Sequence, residues 1–289
     1  MIIASDKVKH IYNRAGFGVA SANWGMTKTI STITEELFQP VSEYKSLKAV
    51  TLEEVAAAKA QIKSLPKADV KDLKQLLKQN LFELNNLWLN EMIHSEAQLQ
   101  EKMALFWHGH FACRSVNPYF DQLYLDIIRK NALGDFGTLL KEVSRSPAML
   151  QFLNNQQNKK DHPNENFARE LMELFTLGRG NYMEQDVKEA ARAFTGWGFD
   201  QEGQFKFKMH QHDFGTKNFQ GKTGDFSGDD ILKIILEKKE CASFITKKIY
   251  RYFVNEEADA SLVASLSEHF YQSGYNIKLL MKEIFTSDF

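Results

Sequence analysis

Two His-x-His pairs are the residues of this chain whose type and spacing favour metal chemistry. His108 and His110 lie within the stretch FWHGHF, and His210 and His212 occur farther along, with Asp213 directly after them. Zinc, manganese and iron are commonly bound in proteins by imidazole and carboxylate groups. We therefore expect His108, His110, His212 and Asp213 to be candidate ligands of a divalent metal.

The backbone around each pair decides whether its two imidazoles can act together. They diverge by about 200° on a helix, whereas on an extended strand they share one side, with Cα atoms about 7 Å apart. Gly109 can end the helix that carries His108, and the alternation along 205–212 predicts a strand that presents both later histidines. Each pair also has a structural alternative. The first can seal the core through bonds to the backbone, and the second can line a solvent-exposed face with lysines.

Glu165, Arg169 and Glu173 recur every four residues, so they share one stripe of a helix. The structural interpretation is a salt-bridge ladder that contributes about 0.2–0.5 kcal/mol per pair. The functional interpretation is a catalytic site in which a glutamate acts as a base or ligand beside the arginine. Because the two carboxylates lie about 12 Å apart along the axis, only one of them can join a given site. Glu165 is the better candidate.

The helix that must position this stripe is predicted over the stretch NENFARELMELFTLG, residues 164–178. Phe167, Leu171 and Leu174 fall on one half of the helical wheel, and the charged residues fall on the other. Gly178 supplies the left-handed stop. We therefore expect an amphipathic helix with a buried face that includes both leucines.

The remaining pattern predicts a mainly α-helical globular domain that spans residues 1–289 and contains about a dozen helices. A β-hairpin and a long loop, about 195–229, are expected to be inserted in it. The aromatic residues of the hairpin could stack on sugar rings, although a cover over the helical core explains them more simply. A C-terminal helix over 277–285 has an apolar face, and we expect it to pack back onto the domain.

Composition limits the classes of partner. The chain has 36 basic and 37 acidic residues and a pI near 6.7, so no global charge favours nucleic acid. Its two cysteines form no CxxC motif, and no apolar run is long enough to span a membrane. As written, the chain is expected to be cytoplasmic, or exported if a leader has been removed.

Several ordered motifs carry a family resemblance. They are HxxNRAGFG at 10–18, FWHGHF at 106–111, SPAML at 146–150, NENFAREL at 164–171, TGW at 195–197 and His212-Asp213. On these motifs the chain resembles the bacterial domain-of-unknown-function family numbered eighteen hundred. The resemblance implies a possible extracytoplasmic or polymer-related role, because relatives are often exported and encoded beside a sulfatase-like family. Many relatives have histidine where this chain has Phe175.

These observations lead to two functional hypotheses. The first is a metal-assisted hydrolase acting on an ester or glycan-type substrate, in which zinc, manganese or iron activates water. The alternative is a non-enzymatic helical module that binds a partner protein or polymer through the hairpin and the loop after it. Convergence of His108, His110, Glu165 and His212 on one cavity would favour the first hypothesis.

Overall fold

The computed structural model describes residues 2–3, 5–18, 28–39, 44–64, 70–115 and 117–287. Within these residues the chain forms fourteen α-helices and three two-stranded antiparallel sheets. The prediction of a mainly α-helical domain is therefore confirmed. No helix in this described part combines the length and apolarity that crossing a bilayer requires.

The helices, in chain order, are α1 Ser5–Ala15, α2 Ile30–Leu37, α3 Leu52–Ser64, α4 Val70–His94, α5 Gln98–His110, α6 Pro118–Asn131, α7 Phe136–Arg145, α8 Pro147–Phe152, α9 Asn166–Glu170, α10 Glu184–Ala193, α11 Gly228–Leu236, α12 Lys239–Phe253, α13 Ala260–Gln272 and α14 Ile277–Thr286. A π-helix, Leu171–Thr176, continues directly from α9. The paired strands are β1 Ile2–Ile3 with β2 Lys28–Thr29, β3 Trp197–Phe199 with β4 Phe205–Phe207, and β5 Lys217–Phe219 with β6 Lys222–Gly224.

Local sequence signals begin several helices. Thr51 and Glu54 form a capping box at the start of α3, in which each side chain accepts a hydrogen bond from the other residue's backbone N–H. Asn117 Oδ1 accepts from Tyr119 N at 3.2 Å, directly before Pro118 opens α6. Proline fits this position because the first N–H groups of a helix have no intrahelical acceptor.

One hydrophobic core joins the helices. At its centre, Trp107 of α5 and Phe111, directly after α5, lie with ring centroids 5.5 and 6.2 Å from that of Phe136 in α7. The C-terminal helix α14 packs against α13 and α2 and buries Ile277 and Leu280. The expectation that this helix packs back onto the domain is confirmed.

The inserted segment differs from its prediction in two places. β4 ends at Phe207 and a 3₁₀ turn follows at Met209–Gln211, so the predicted strand through His212 is wrong. The turn returns the chain to Thr195, against which the His212 ring is buried. The predicted loop over 213–229 contains the second hairpin, β5–β6, because burial of Phe219 against α10 outweighs the weak strand signal of a short polar stretch.

The π-helix changes which leucines the central helix buries. Leu171 is 0% exposed, whereas Leu174, expected on the same apolar half, is 47% exposed. A π-helix forms i→i+5 hydrogen bonds and therefore has more residues per turn than the α-helical wheel assumes. Successive side chains consequently rotate by less than 100° per residue, and Leu174 moves out of the buried face.

The contrast between these two leucines is testable. Leu171→Ala should lower the free energy of unfolding by about 2–5 kcal/mol, because it empties a fully buried site. Leu174→Ala is the matched control, and it should change the free energy of unfolding by about 0.5 kcal/mol or less. Denaturant titration measures both. Equal losses would contradict the π-helical arrangement.

Candidate functional site

The polar stripe of the central helix divides into two separate ion-pair groups. Arg169 contacts Glu165 at 3.1 Å and also Glu184 at the start of α10, through two hydrogen bonds of 2.7 and 2.8 Å. This geometry connects α9 to α10. Hydrogen bonding to Glu184 is the main cause that raises the pKa of Arg169, so its guanidinium is permanently charged.

Glu173 does not complete the predicted ladder with Arg169. It accepts hydrogen bonds from Arg179 Nε at 2.6 Å and from Tyr182 Oη at 3.0 Å, and these bonds lower the pKa of its carboxyl group. Its neighbour Glu170 has a raised pKa because of burial and then of the Glu173 charge. The structure therefore joins Glu165 to Arg169 and places Glu173 in a different group. Their catalytic roles stay predictions.

The first histidine pair lies entirely within α5, which continues through Gly109 to His110. The two rings consequently diverge. His108 lies against Trp88 of α4, with centroids 5.2 Å apart, and burial lowers its pKa. The prediction that Gly109 could end the helix is wrong, because helical hydrogen bonding continues past it, with Phe111 N donating to Trp107 O at 2.8 Å.

His110 occupies a defined hydrogen-bonded position in the core. Its Nε2 lies 3.1 Å from the carbonyl oxygen of Phe175, which can only accept, so Nε2 must donate. Nδ1 is then the acceptor for Lys248 Nζ at 3.2 Å, and Lys248 also donates to Leu174 O at 3.0 Å. These bonds match the structural alternative for His110, in which the histidine seals the core through bonds to the backbone. The ring of Phe175, where relatives are expected to have histidine, lies 6.2 Å away.

An open groove of about 350 Å³ begins at this histidine, between α5 and α12. Phe106 and Tyr252 form its apolar side, and Lys248 and Arg251 contribute positive charge. Burial lowers the pKa of Lys248. Both ring nitrogens of His110 already have hydrogen-bond partners, so His110 has no nitrogen free to bind a ligand in the groove. The positive charge of the groove comes from Lys248 and Arg251.

Protonation of His110 should destabilise the protein in acid. Burial, followed by the charge of Lys248, lowers the pKa of His110 to about 3. The unfolded chain binds this proton below about pH 6.5, so the stabilisation is complete above pH 6.5 and declines as the pH falls toward 3. The expected loss between pH 6.5 and 4 is about 2–3 kcal/mol.

His110→Gln should flatten this part of the curve of unfolding free energy against pH. His94→Gln is the control, because His94 is exposed, and it should retain the wild-type slope. Denaturant titrations at several pH values provide the measurement. A wild-type slope in His110→Gln would rule out a neutral buried His110.

The second histidine pair is also divided, since His210 is exposed and His212 is buried. Nδ1 of His212 lies 2.8 Å from the carbonyl oxygen of Thr195 and must donate to it. Nε2 therefore carries the lone pair, and it has no hydrogen-bond partner among the described residues. The imidazole lies edge-on between Phe207 and Phe214, with centroids 5.0 and 4.7 Å away.

Asp213 is held by Arg192 of α10 rather than left free beside His212. Arg192 donates through Nε at 2.7 Å and Nη2 at 3.2 Å, and Gly215 N donates at 2.8 Å. Although burial opposes it, this set of bonds lowers the pKa of Asp213. The carboxylate organises the start of the loop, while Lys217, fully buried, donates to the carbonyl oxygens of Asp213 and Gly215.

The seven predicted site residues consequently occupy several places. Across the part of the chain that the structure describes, no three or more His, Cys, Asp or Glu side chains are grouped so as to hold a metal ion. Sequence reasoning missed the partners of these residues, among them Lys248, Arg192 and Thr195. Arg192 lies in the last turn of α10, where a basic residue is explained by the helix dipole, so its position indicates no site.

Comparison with known families agrees with the motifs. The family profile described as "Protein of unknown function (DUF1800)" matches residues 10–289. The chain belongs to this family. Comparison with curated proteins and with solved structures gives no match. The geometry of the site must therefore carry the functional argument.

Proposed function

We propose that this protein is a helical binding module that docks a partner protein through its first hairpin and the chain that follows it. The hairpin surface, as we define it, consists of Phe207, Met209, His212 and Phe214. The observation that carries the proposal is the buried His212, with an unpartnered Nε2, between two exposed aromatic rings.

The three apolar members of the hairpin surface are unusually exposed. Phe207 is 42% exposed, Met209 65% and Phe214 54%. They lie together, because both phenylalanine rings contact His212 and Met209 is within the intervening turn. Grouped exposed apolar side chains mark interaction sites, and aromatic residues and methionine are enriched at protein interfaces. Methionine offers no ring face for stacking on sugars, so this composition favours a protein over a glycan.

Lysines lie along the chain beside the hairpin surface. Lys208 falls between Phe207 and Met209, and Lys159 and Lys160 belong to the loop before α9. The backbone of Lys160 donates to Gln211 O at 2.8 Å, which attaches this loop to the 3₁₀ turn. Because the whole chain has a net charge of −1, this basic character is a local feature. It favours a partner with acidic groups around an apolar centre.

The centre of the surface supplies a specific polar contact. Thr195 O fixes the tautomer of His212, so Nε2 can only accept a hydrogen bond while the ring is neutral. A partner N–H or O–H placed between the two phenylalanine rings would complete this bond away from water. Polar contacts enclosed by apolar side chains are typical of interface hot spots.

Photo-crosslinking tests this proposal. Benzoylphenylalanine in place of Phe207, in cells that naturally produce the protein, should yield one adduct of defined mass that maps to an acidic segment of the partner. The same probe in place of Phe82 is the control, because Phe82 is exposed on α4, distant in sequence from the hairpin. Met209→Asp together with Phe214→Asp should abolish the adduct.

Three results would contradict docking at the hairpin surface. These are the absence of an adduct, equal adducts from positions 207 and 82, and an adduct that persists in the double variant. Circular dichroism of the double variant supplies the folding control. Both substituted side chains are exposed, so its spectrum should match that of the wild type.

The metal-assisted hydrolase is the second candidate, and the hydrogen bonding of His212 favours it. A metal-bound histidine commonly donates through its other nitrogen to a carbonyl group, as Nδ1 does here toward Thr195. The described residues supply no second and third ligand beside it. An ester or glycan-type substrate, with Glu165 or Glu173 as the base, therefore ranks below the binding module.

Metal analysis separates the two candidates. For wild type, His212→Ala and Glu165→Gln purified without added metal, we expect zinc, manganese and iron to be substoichiometric in all three. Elemental mass spectrometry makes the measurement. Stoichiometric metal in the wild type that is lost in His212→Ala would instead establish a metal site and favour the hydrolase.

A further inference from the structure

A cavity of about 620 Å³ lies on the side of the first hairpin that faces α3. One face of α3, the start of α6, a residue of α8 and the β3–β4 turn surround it, and we name it the α3–α6 cavity. Its principal lining residues are Val55, Lys59, Asn117, Phe120, Gln151 and Phe199. Cavities that bind small molecules in proteins typically measure about 300–1,000 Å³.

The apolar part of the lining is rigid. Phe120 and Phe199 meet edge to face, with ring centroids 5.3 Å apart, and Val55 is buried opposite them on α3. The β3–β4 turn is closely seated, because a Cβ atom at Gly203 would come within 3.1 Å of the Phe120 ring. The cavity therefore exists before any ligand enters, and it presents aromatic and aliphatic carbon to an apolar group.

Two amide groups in the lining have free donors. Asn117 is 2% exposed, and its Oδ1 is used by Tyr119 N, which leaves Nδ2 without a partner among the described residues. Gln151 Oε1 accepts from Ser115 Oγ at 3.2 Å, which leaves Nε2 equally unpartnered. Both residues line the cavity, so their unused donors are available to a ligand that brings acceptor atoms.

Lys59 adds a positive charge to these donors. Its Nζ lies 5.5 Å from the centroid of Phe120, and it forms no ion pair with any described residue. The carboxylate at the rim, Asp200, is already occupied. It accepts from the backbone of Glu202 and Gln204 and lies 3.1 Å from Lys206. The free hydrogen-bonding groups of the cavity therefore include two amide donors and one cation, together with the exposed amide of Gln201 in the β3–β4 turn.

From this arrangement we infer that the α3–α6 cavity binds a small carboxylic acid with an apolar ring. Lys59, Asn117 and Gln151 bind the carboxylate, and the ring packs between Val55 and the two phenylalanines. Donors and a cation complement the charge and acceptor atoms of a carboxylate. The inference is independent of partner docking, since no residue of the hairpin surface lines this cavity.

Titration with 3-phenylpropionate, followed by ligand-observed NMR, tests the inference. Its uncharged amide, 3-phenylpropionamide, has nearly the same shape and should bind at least tenfold more weakly, because it lacks the charged acceptor. Lys59→Met should weaken 3-phenylpropionate binding about tenfold or more and leave amide binding unchanged. Lys188→Met, an exposed lysine on α10 outside the cavity, should bind like the wild type.

Asn117→Asp provides a second variant that preserves the fold. Aspartate caps a helix as well as asparagine does, so α6 remains intact while the amide donor becomes a negative charge. This variant should lose carboxylate binding, and an unchanged circular dichroism spectrum should confirm its fold. Failure of 3-phenylpropionate to bind the wild type would overturn the inference, as would equal affinity for wild type, Lys59→Met and Asn117→Asp.

Discussion

Burial of one face of α9 and its π-helical continuation is the constraint on which the first hairpin and the α5–α12 groove depend. Near its start, Phe167 packs edge-on against Phe194, with ring centroids 4.9 Å apart, and Phe194 in turn packs against Trp197 of the first hairpin. Near its end, the carbonyl oxygens of Leu174 and Phe175 accept bonds from Lys248 and His110. The central helix thus supports the hairpin at one end and the α5–α12 groove at the other.

The end of the π-helix has carbonyl groups that need donors from other parts of the chain. The last carbonyl oxygens of any helix lack an intrahelical donor, and i→i+5 bonding leaves one more of them unpaired than i→i+4 bonding does. Thr176 Oγ1 donates to Leu171 O at 2.6 Å, and the backbone of Leu177 and Gly178 donates to Met172 O at 2.9 Å. Lys248 and His110 donate to the carbonyl oxygens of Leu174 and Phe175, nearer the end of the π-helix. Two groups that could act in chemistry are therefore engaged in ending a helix.

Most charged groups near the predicted sites are paired in the same way. Arg169 connects two helices through carboxylates, and Arg192 holds Asp213 at the start of the loop. Among the described residues, groups without a hydrogen-bonding or ionic partner include Nζ of Lys59, the NH2 groups of Asn117 and Gln151, and Nε2 of His212. Unpaired donors, acceptors and charges are available to ligands, so function is best sought around these groups.

The sequence by itself determined the elements whose signals are local. Helical periodicity, the left-handed stop at Gly178 and the alternating pattern of the first hairpin depend on neighbouring residues, and the helical class followed from them. Family membership followed from the ordered motifs. Only the tertiary structure decided the partners of His110, His212 and Glu173. Lys248 lies 138 residues from His110, and a periodic pattern contains no information about such distant contacts. The π-helix and the second hairpin also escaped prediction, because packing of Leu171 and Phe219 in the core stabilises backbone that local propensity does not favour.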